Sequence, residues 1–223
     1  MKAAAIIPAA GAGRRIGGVR KAFMAIAGRP MLQYSIDVFL SHPDIHTVVI
    51  ALATEDFAAP PAWLDQPGIR LVEGGAERAD SVRAALMALA DDTDAIVVHD
   101  AARPMLNLDL IDRVLDKVRR GRSATLGIQV TDTLHLVNHD FDIRDTPDRS
   151  SFWRAQTPQA FPRDVLELAF ATRAEGTSAT DEAGLVAAGG WRVSVVPGEP
   201  WNIKVTTPDD IAVVESALRD RPQ

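Results

Sequence analysis

Short apolar runs alternate with amphipathic stretches along the whole chain. The apolar runs predict strands at Ala3–Ile7, Thr47–Leu52, Ile69–Val72, Ala95–Val98, Ala124–Val130, Val193–Val196 and Ile203–Val205. Between them, apolar positions at helical spacing predict helices over Met31–Leu40, Ser81–Leu89, Leu108–Val118, Val165–Phe170 and Ile211–Leu218. This alternation predicts an α/β fold with a mostly parallel sheet flanked by helices. Ligands of such sheets bind beyond the carboxyl ends of the strands, so functional residues are expected in the loops that follow them.

One segment departs from this alternation. From Thr131 to Phe152 the chain is polar, rich in aspartate and only weakly alternating. Because it has too few apolar residues for a core helix, we expect an extended β-arm outside the main sheet, at about residues 131–152. Such an arm needs a surface to pack on, for which a second subunit is a candidate; a surface excursion without a partner is the alternative. We expect a single domain over residues 1–223 that includes this arm.

Composition narrows the classes of function. Hydrophobic residues make up 47% of the chain and charged residues 24%, which is ordinary for a soluble globular protein. A net charge of −6 argues against a general nucleic-acid binder. Cysteine is absent, which excludes disulfides and thiolate metal sites. No apolar run is long enough to cross a membrane, and we expect a cytoplasmic protein.

The loop after the first apolar run combines small residues with cations. It reads Pro8-Ala9-Ala10-Gly11-Ala12-Gly13-Arg14-Arg15, and Lys21 follows. Small residues let backbone N–H groups approach phosphate oxygens closely, and cations offset the charge of a polyphosphate. Glycines alone would also suit a tight turn between strand and helix, but clustered cations repel one another unless an anion is present. This loop therefore indicates nucleotide chemistry.

Three kinds of phosphate loop begin in this way. A P-loop requires Lys and then Ser or Thr directly after its last glycine, whereas Arg14 follows Gly13. A dinucleotide fingerprint has a tighter spacing than these glycines, and the next strand ends too late for its acidic residue, which disfavours an NAD-dependent dehydrogenase. The long loop of sugar nucleotidyltransferases, in which a later lysine reaches the α-phosphate, fits Gly13, Arg15 and Lys21.

Further candidates follow other predicted strands. Asp100 ends a strand, where a carboxylate can neighbour Mg²⁺ or, alternatively, cap a helix or pair with Arg103. The Gly74-Gly75 pair could let a backbone read a base edge, or form only a turn before a helix that begins at Ser81. His99 has no second ligand at metal spacing, so we expect it to be packed or hydrogen-bonded. Lys204 lies within the predicted strand Ile203–Val205, where it needs a partner.

Together these motifs resemble the family of 2-C-methyl-D-erythritol 4-phosphate cytidylyltransferases of the non-mevalonate isoprenoid pathway. The matching pieces occur in the family's order: Pro8–Arg15, Lys21, Gly74–Val82, His99–Pro104, Asp132–Thr133, Asp148–Arg149, Thr157–Gln159, Thr180–Ala183 and Asn202–Thr206. The resemblance implies a Rossmann-like nucleotidyltransferase fold with a protruding β-arm and a homodimer joined through that arm. It also implies CTP and methylerythritol phosphate as substrates and Mg²⁺ as the cofactor.

The resemblance also implies a role for each matching residue. Arg15 and Lys21 would stabilise the charge that develops while CMP is transferred to the acceptor phosphate. That phosphate would be oriented by Lys204 and by Arg149 of the partner subunit. Further acceptor contacts would come from Arg103, Thr133 and Thr157. The nucleotide would be surrounded by Ala9, Ala10, Gly11, Gly13, Gly75, Ser81 and Asp100, of which Asp100 is also the candidate metal ligand.

Two positions depart from the family pattern, and two rival functions remain. The family commonly has Pro-Lys-Gln before an aromatic residue, where this chain has Arg20-Lys21-Ala22-Phe23 and a loop one residue shorter. Ala76 stands where the family often has Asp, so a base contact there must use the backbone.

The rivals are a sibling enzyme acting on another polyol phosphate, such as ribitol phosphate, and a nucleotide-binding regulator without catalysis. The retained cations argue against the regulator.

Overall fold

A computed structural model of the chain describes residues 1–11, 20–173 and 180–219. Its strands are β1 (Ala3–Pro8), β2 (Ala25–Ile26), β3 (Arg29–Pro30), β4 (Ile45–Leu52), β5 (Ile69–Glu73), β6 (Ala95–Val98), β7 (Ser123–Gln129), β8 (Leu136–Val137), β9 (Ile143–Asp145), β10 (Trp153–Pro162) and β11 (Val193–Pro197). Its α-helices are α1 (Met31–Ser41), α2 (Thr54–Ala58), α3 (Arg78–Met87), α4 (Leu108–Val118), α5 (Arg163–Ala171), α6 (Glu182–Ala188) and α7 (Pro208–Arg219).

Seven strands form the central sheet, in the order β11-β7-β10-β6-β1-β4-β5. The pairs β1–β4, β1–β6, β4–β5 and β7–β11 are parallel, whereas β10 runs antiparallel to both of its neighbours. The predicted α/β class with a mostly parallel sheet is therefore confirmed. Because β1, β4, β5 and β6 run in the same direction, their carboxyl ends meet at one edge.

Both faces of the central sheet are covered, which explains why strands such as β1 and β6 are apolar throughout. Along β1, Ala3, Ala5 and Ile7 pack into one hydrophobic cluster together with residues of α1 and α4. Ala4 and Ile6 point the other way, into a cluster with residues of α3, α5 and α6. Successive side chains of a strand alternate between faces, so this strand is buried on both sides.

The structure corrects the sequence-based elements at three places. The predicted strand Ile203–Val205 is irregular, and its apolar side chains pack against α7 while the Val205 amide donates to the carbonyl of Ala102 at 2.8 Å. The long strand β10 had not been predicted, because it carries several polar residues. Helix α3 begins at Arg78 and not at Ser81, since Glu77 and Asp80 form a capping box there.

The segment predicted as an arm contains a separate small sheet. It leaves β7 and returns to β10 next to the pair Gln129–Trp153, and within it β8 pairs antiparallel with β9. Its apolar side chains are exposed, with Phe141 at 85% and Leu136 and Ile143 at 59% each. No helix among the described residues combines the length and apolar character needed to cross a bilayer.

Candidate active site

A cleft of about 340 Å³ opens at the edge where β1, β5 and β6 end. It is lined by loops that follow these strands, as expected for ligand sites in α/β sheets. Eight residues selected from the sequence line it: Ala9, Ala10, Gly11, Lys21, Gly75, Ser81, Asp100 and Lys204. Gly13 and Arg15 lie outside the described residues. The structure thus gathers most of the predicted nucleotide-side residues around one space.

Two small-residue loops touch each other on one side of the cleft. A Cβ added to Gly74 would lie 2.6 Å from the Cβ of Ala10, and one added to Gly75 would lie 2.3 Å from the Cβ of Asp80. Only glycine fits such close approaches. The buried Ser81 hydroxyl donates to the carbonyl of Glu77 and accepts from the amide of Gly75, both at 3.2 Å. These contacts fix the backbone that was predicted to face the base.

Lys21 also lines the cleft and opens a short 3₁₀ turn, Lys21–Phe23. The residue before it, Arg20, forms ion pairs with Glu55 and Asp56 of α2; its Nε lies 2.9 Å from Oδ2 of Asp56. The position that departs from the family pattern is thus tied to the neighbouring helix. This contact anchors the chain directly before the lysine that lines the cleft.

The charged centre of the cleft is a four-residue network around Asp100. Nε of Arg78 lies 3.0 Å from Oδ1 of Asp100, and Nζ of Lys204 lies 2.7 Å from Oδ2. Nη1 of Arg78 also donates to both oxygens of Glu182, at 2.7 and 2.8 Å. Asp100 therefore pairs with Arg78 and Lys204 rather than with Arg103, the partner considered from the sequence. Two carboxylates and two cations balance one another.

Charge pairing opposes the effect of burial on the pKa values of this network. Burial alone would raise the pKa of Asp100, but the charges of Arg78 and Lys204 outweigh it and hold this pKa well below its usual range. Burial lowers the pKa of Arg78, whereas Glu182 and Asp100 raise it by more, so this guanidinium is charged. Burial raises the pKa of Glu182, whose side chain is 2% exposed, and Arg78 opposes that rise.

A second, smaller cavity of about 150 Å³ adjoins the cleft and shares Arg78, Asp100 and Lys204 with it. It is also lined by Arg103 and Thr157, two of the predicted acceptor contacts. Arg103 donates from Nη1 to the carbonyl of Asn202 at 2.7 Å and from Nη2 to that of Ala155 at 3.3 Å. Its buried Nε has no hydrogen-bond partner among the described residues. Arg103 thus retains donor capacity beside this cavity.

The remaining predicted residues lie elsewhere in the chain's own structure. Thr133 and Arg149 line a third cavity, at the base of the segment that contains β8 and β9. Neither residue lines the cleft or the second cavity within the described structure. A single chain therefore does not bring them to the other site residues, and their proposed part in catalysis requires a second subunit.

Sequence reasoning had not selected Arg78 and Glu182 as site residues. Both stand inside motifs that carried the family resemblance, Gly74–Val82 and Thr180–Ala183, but nothing local marks them as partners. Asp100 and Lys204 already balance each other as one carboxylate and one cation, so their charges did not point to a further pair.

The described residues offer little for a resident metal ion. No group of three or more potential metal-binding side chains comes together among them. Both oxygens of Asp100 already contact cations. Mg²⁺ in phosphate-transferring sites keeps several waters and is held by one or two carboxylates plus substrate phosphates. A lone carboxylate therefore fits a metal that arrives with a nucleotide.

The chain is similar to known proteins over nearly its whole length. A family model described as 2-C-methyl-D-erythritol 4-phosphate cytidylyltransferase matches residues 3–220. The chain is 39% identical over 216 residues to the protein of that name from Haemophilus influenzae, covering 96% of this chain and 95% of the relative. It is 42% identical over 219 residues to the one from Symbiobacterium thermophilum, covering 96% and 92%.

A solved structure shows the same fold. The crystal structure of 2-C-methyl-D-erythritol 4-phosphate cytidylyltransferase from Thermus thermophilus superposes with a TM-score of 0.83 at 34% identity. The match covers 98% of this chain and 100% of that one. The chain belongs to the family of 2-C-methyl-D-erythritol 4-phosphate cytidylyltransferases.

Proposed function

We propose that the cleft transfers CMP from CTP to 2-C-methyl-D-erythritol 4-phosphate, with pyrophosphate and 4-diphosphocytidyl-2-C-methyl-D-erythritol as products. Family membership supports this reaction in the non-mevalonate pathway. In this molecule, the observation that carries it is the joining of the small-residue loop to Lys21, Asp100 and Lys204 around one space. A cytoplasmic location is part of the proposal.

The chemistry is an in-line displacement at phosphorus. An oxygen of the acceptor phosphate attacks the α-phosphorus of CTP and forms a new P–O bond. The bond from that phosphorus to the bridging oxygen breaks, and its electron pair leaves with pyrophosphate. A phosphate monoester is already ionised near pH 7, so no general base is needed. Catalysis then consists of positioning and charge stabilisation.

The proposed site residues fall into two groups, one for each substrate. On the nucleotide side, Ala9, Ala10, Gly75 and Ser81 surround the nucleoside, and Gly11 and Gly13 allow close approach to the phosphates. Lys21 and Arg15 offset the charge that develops around the α-phosphorus. On the acceptor side, Lys204, Arg103 and Thr157 border the second cavity, which we assign to methylerythritol phosphate.

A metal ion and a second subunit complete the proposal. Mg²⁺ bound to the CTP phosphates would supply further charge neutralisation, with Asp100 as its candidate protein ligand. The exposed apolar side chains on β8 and β9 support homodimerisation through this segment. In such a dimer, Arg149 and Thr133 of each chain would reach the acceptor in the other chain's cleft.

The deciding experiment measures pyrophosphate release from CTP by the purified protein with Mg²⁺ and methylerythritol phosphate. Release that requires this acceptor supports the proposal. Release with ribitol phosphate only would assign the chain to another polyol phosphate. CTP binding without turnover on any acceptor would indicate a regulator.

Site sharing is tested by mixing two inactive variants, Arg149→Ala and Lys21→Ala. If the arm crosses to the partner, one cleft of each mixed dimer holds both defects and the other holds none, so activity returns. A mixture of Lys21→Ala with Lys204→Ala is the control, because each cleft then keeps one defect. Failure of proven mixed dimers to regain activity would contradict a shared site.

A further inference from the structure

His99 is a fully buried histidine that the proposed chemistry leaves without a role. It follows β6, directly before Asp100, and its side chain is 0% exposed. Its ring packs edge-on against Phe39, with centroids 5.6 Å apart and an interplanar angle of 77°. It lines neither the cleft nor the second cavity as the structure describes them. Its neighbours Asp100, Arg103 and Thr157 do line one or both of these spaces.

Both ring nitrogens of His99 are hydrogen-bonded, and chemistry fixes the direction of each bond. Nε2 lies 3.1 Å from the carbonyl oxygen of Arg103, which can only accept, so Nε2 carries the hydrogen. In the neutral ring, a hydrogen on Nε2 leaves Nδ1 as the acceptor. The Thr157 hydroxyl, 3.1 Å away, therefore donates to Nδ1.

The hydrogen-bond chain continues to the residue after His99. The Thr157 oxygen accepts from the backbone N–H of Asp100 at 3.0 Å. Asp100 and Arg103 are the two ends of one turn, in which the Arg103 amide donates to the Asp100 carbonyl at 3.0 Å. The ring thus holds both ends of this turn. Ser35 also contacts the Arg103 carbonyl, but at 3.4 Å it is the longer contact.

We propose that His99 is a positioning residue for the transfer reaction: its Nε2–H holds the backbone of Arg103, and its Nδ1 holds Asp100 through Thr157. The proposal rests on the proposed function, because these residues border the assigned acceptor cavity. His99, Arg103 and Thr157 are buried, so little water competes for these bonds and their geometry is passed to the side chains. Misplacement by about 1 Å at such a site can cost about 10²-fold in rate.

Three substitutions separate the two bonds. His99→Leu removes both, His99→Asn places a carbonyl near the position of Nδ1, and His99→Gln places an amide N–H near that of Nε2. We expect kcat/KM for methylerythritol phosphate to fall by about 10²-fold in His99→Leu. The Asn and Gln variants should each recover part of this loss. Equal kinetic constants in wild type and folded His99→Leu would overturn the proposal.

His42 provides a matched control, since it is buried and bonded at both ring nitrogens but does not line the cleft. Its Nδ1 accepts from the Asp44 amide at 3.2 Å, and its Nε2 lies 3.3 Å from Asp112. His42→Leu should lower the melting temperature while kinetic constants measured well below it stay unchanged. If the His99 variants lower the melting temperature but leave the kinetic constants unchanged, as His42→Leu should, the role is structural and the proposal fails.

The tautomer offers a readout independent of turnover. Side-chain ¹H–¹⁵N correlation spectra of the wild-type protein, with His99 assigned by comparison with His99→Gln, should show the Nε2–H tautomer. A hydrogen on Nδ1 instead would overturn the proposal even if His99→Leu does not fold. An inactive wild type contradicts the proposed function, whereas an active wild type with unaffected His99 variants contradicts only the positioning role.

Discussion

The ammonium group of Lys204 lies 2.7 Å from Oδ2 of Asp100, although both residues are assigned to substrates. The other carboxylate oxygen of Asp100 is held by Arg78. An acceptor phosphate would compete with Asp100 for Lys204, and Asp100 would stay paired with Arg78 while this happens. The lysine is thus held close to its proposed working position, and its side chain remains 43% exposed.

Removing the Lys204 charge should impair acceptor use without unfolding the protein. We expect Lys204→Met to lower kcat/KM for methylerythritol phosphate by about 10²–10³-fold, as loss of one charge-stabilising donor typically does. Steady-state pyrophosphate release at varied acceptor concentration measures this. Lys117→Met, on α4 away from the cleft, is the control and should behave as wild type. A change of less than twofold in Lys204→Met would remove this lysine from the site.

Arg78 should be needed for stability as well as for the site, because it bridges two carboxylates that are largely buried. Arg78→Lys keeps the charge but loses the fork that reaches both Asp100 and Glu182. We expect the free energy of unfolding in urea to fall by about 1–3 kcal/mol, the usual cost of lost hydrogen bonds to charged groups.

Arg113 offers the control for this substitution. It also pairs with two carboxylates, Asp109 and Glu199, but these are 61% and 28% exposed, against 12% for Asp100 and 2% for Glu182. Exposed ion pairs contribute about 0–1 kcal/mol. Arg113→Lys should therefore cost less than Arg78→Lys, and the opposite order would contradict the structural role of Arg78.

Elements whose apolar residues face a core could be predicted from the sequence. Strand β6 and helix α4 have the predicted bounds, because period and burial coincide along each of them. Strand β10 could not be predicted from the sequence, because its buried polar groups find partners far along the chain. For example, Gln159 donates to Thr125 and to Asp181. The opposite error occurred at Ile203–Val205. This apolar run was predicted as a strand, but its side chains are buried by packing rather than by strand pairing.

The residues of the candidate site also differ in whether the sequence could predict them. The small residues and cations of the first loop were recognisable because their chemistry is local. The pairing of Arg78 with Glu182 joins residues 104 positions apart, and no local pattern encodes it. The turn from Asp100 to Arg103 was visible as a motif, but its attachment to β10 through Thr157 depends on the sheet order.

Arg20 should act on catalysis through the lysine that follows it. Arg20→Ala removes the ion pairs with α2. Stability should fall by about 1–3 kcal/mol, since Asp56, 19% exposed, loses its cation, whereas Glu55, 79% exposed, contributes little. With Lys21 less firmly placed, kcat/KM for CTP should fall by about tenfold. Arg83→Ala, an exposed change on α3, is the control; equal kinetics in both variants would show that Arg20 does not position Lys21.

The carboxylate of Asp210 should make the free energy of unfolding depend on pH. This residue lies in the first turn of α7, shortly after Lys204. One oxygen of its carboxylate accepts from the amides of Thr206 and Thr207, at 2.6 and 2.8 Å, and from the Thr206 hydroxyl at 2.8 Å. The Thr206 amide bond contributes most to a pKa of about 2, against the opposing effect of burial. An unfolded aspartate titrates at about 3.9.

Because the folded pKa is the lower one, the stabilisation from Asp210 is complete above about pH 4 and is lost as the pH falls through about 2. Asp210→Asn keeps an acceptor but not the charge, so it should cost about 1 kcal/mol at pH 7 and progressively less as the pH falls through about 2. Melting temperatures across this range measure the gap. Asp209→Asn, the exposed neighbour, should show no such convergence with wild type. A difference in melting temperature between Asp210→Asn and wild type that persists unchanged at pH 2 would mean that the carboxylate charge does not stabilise the start of α7.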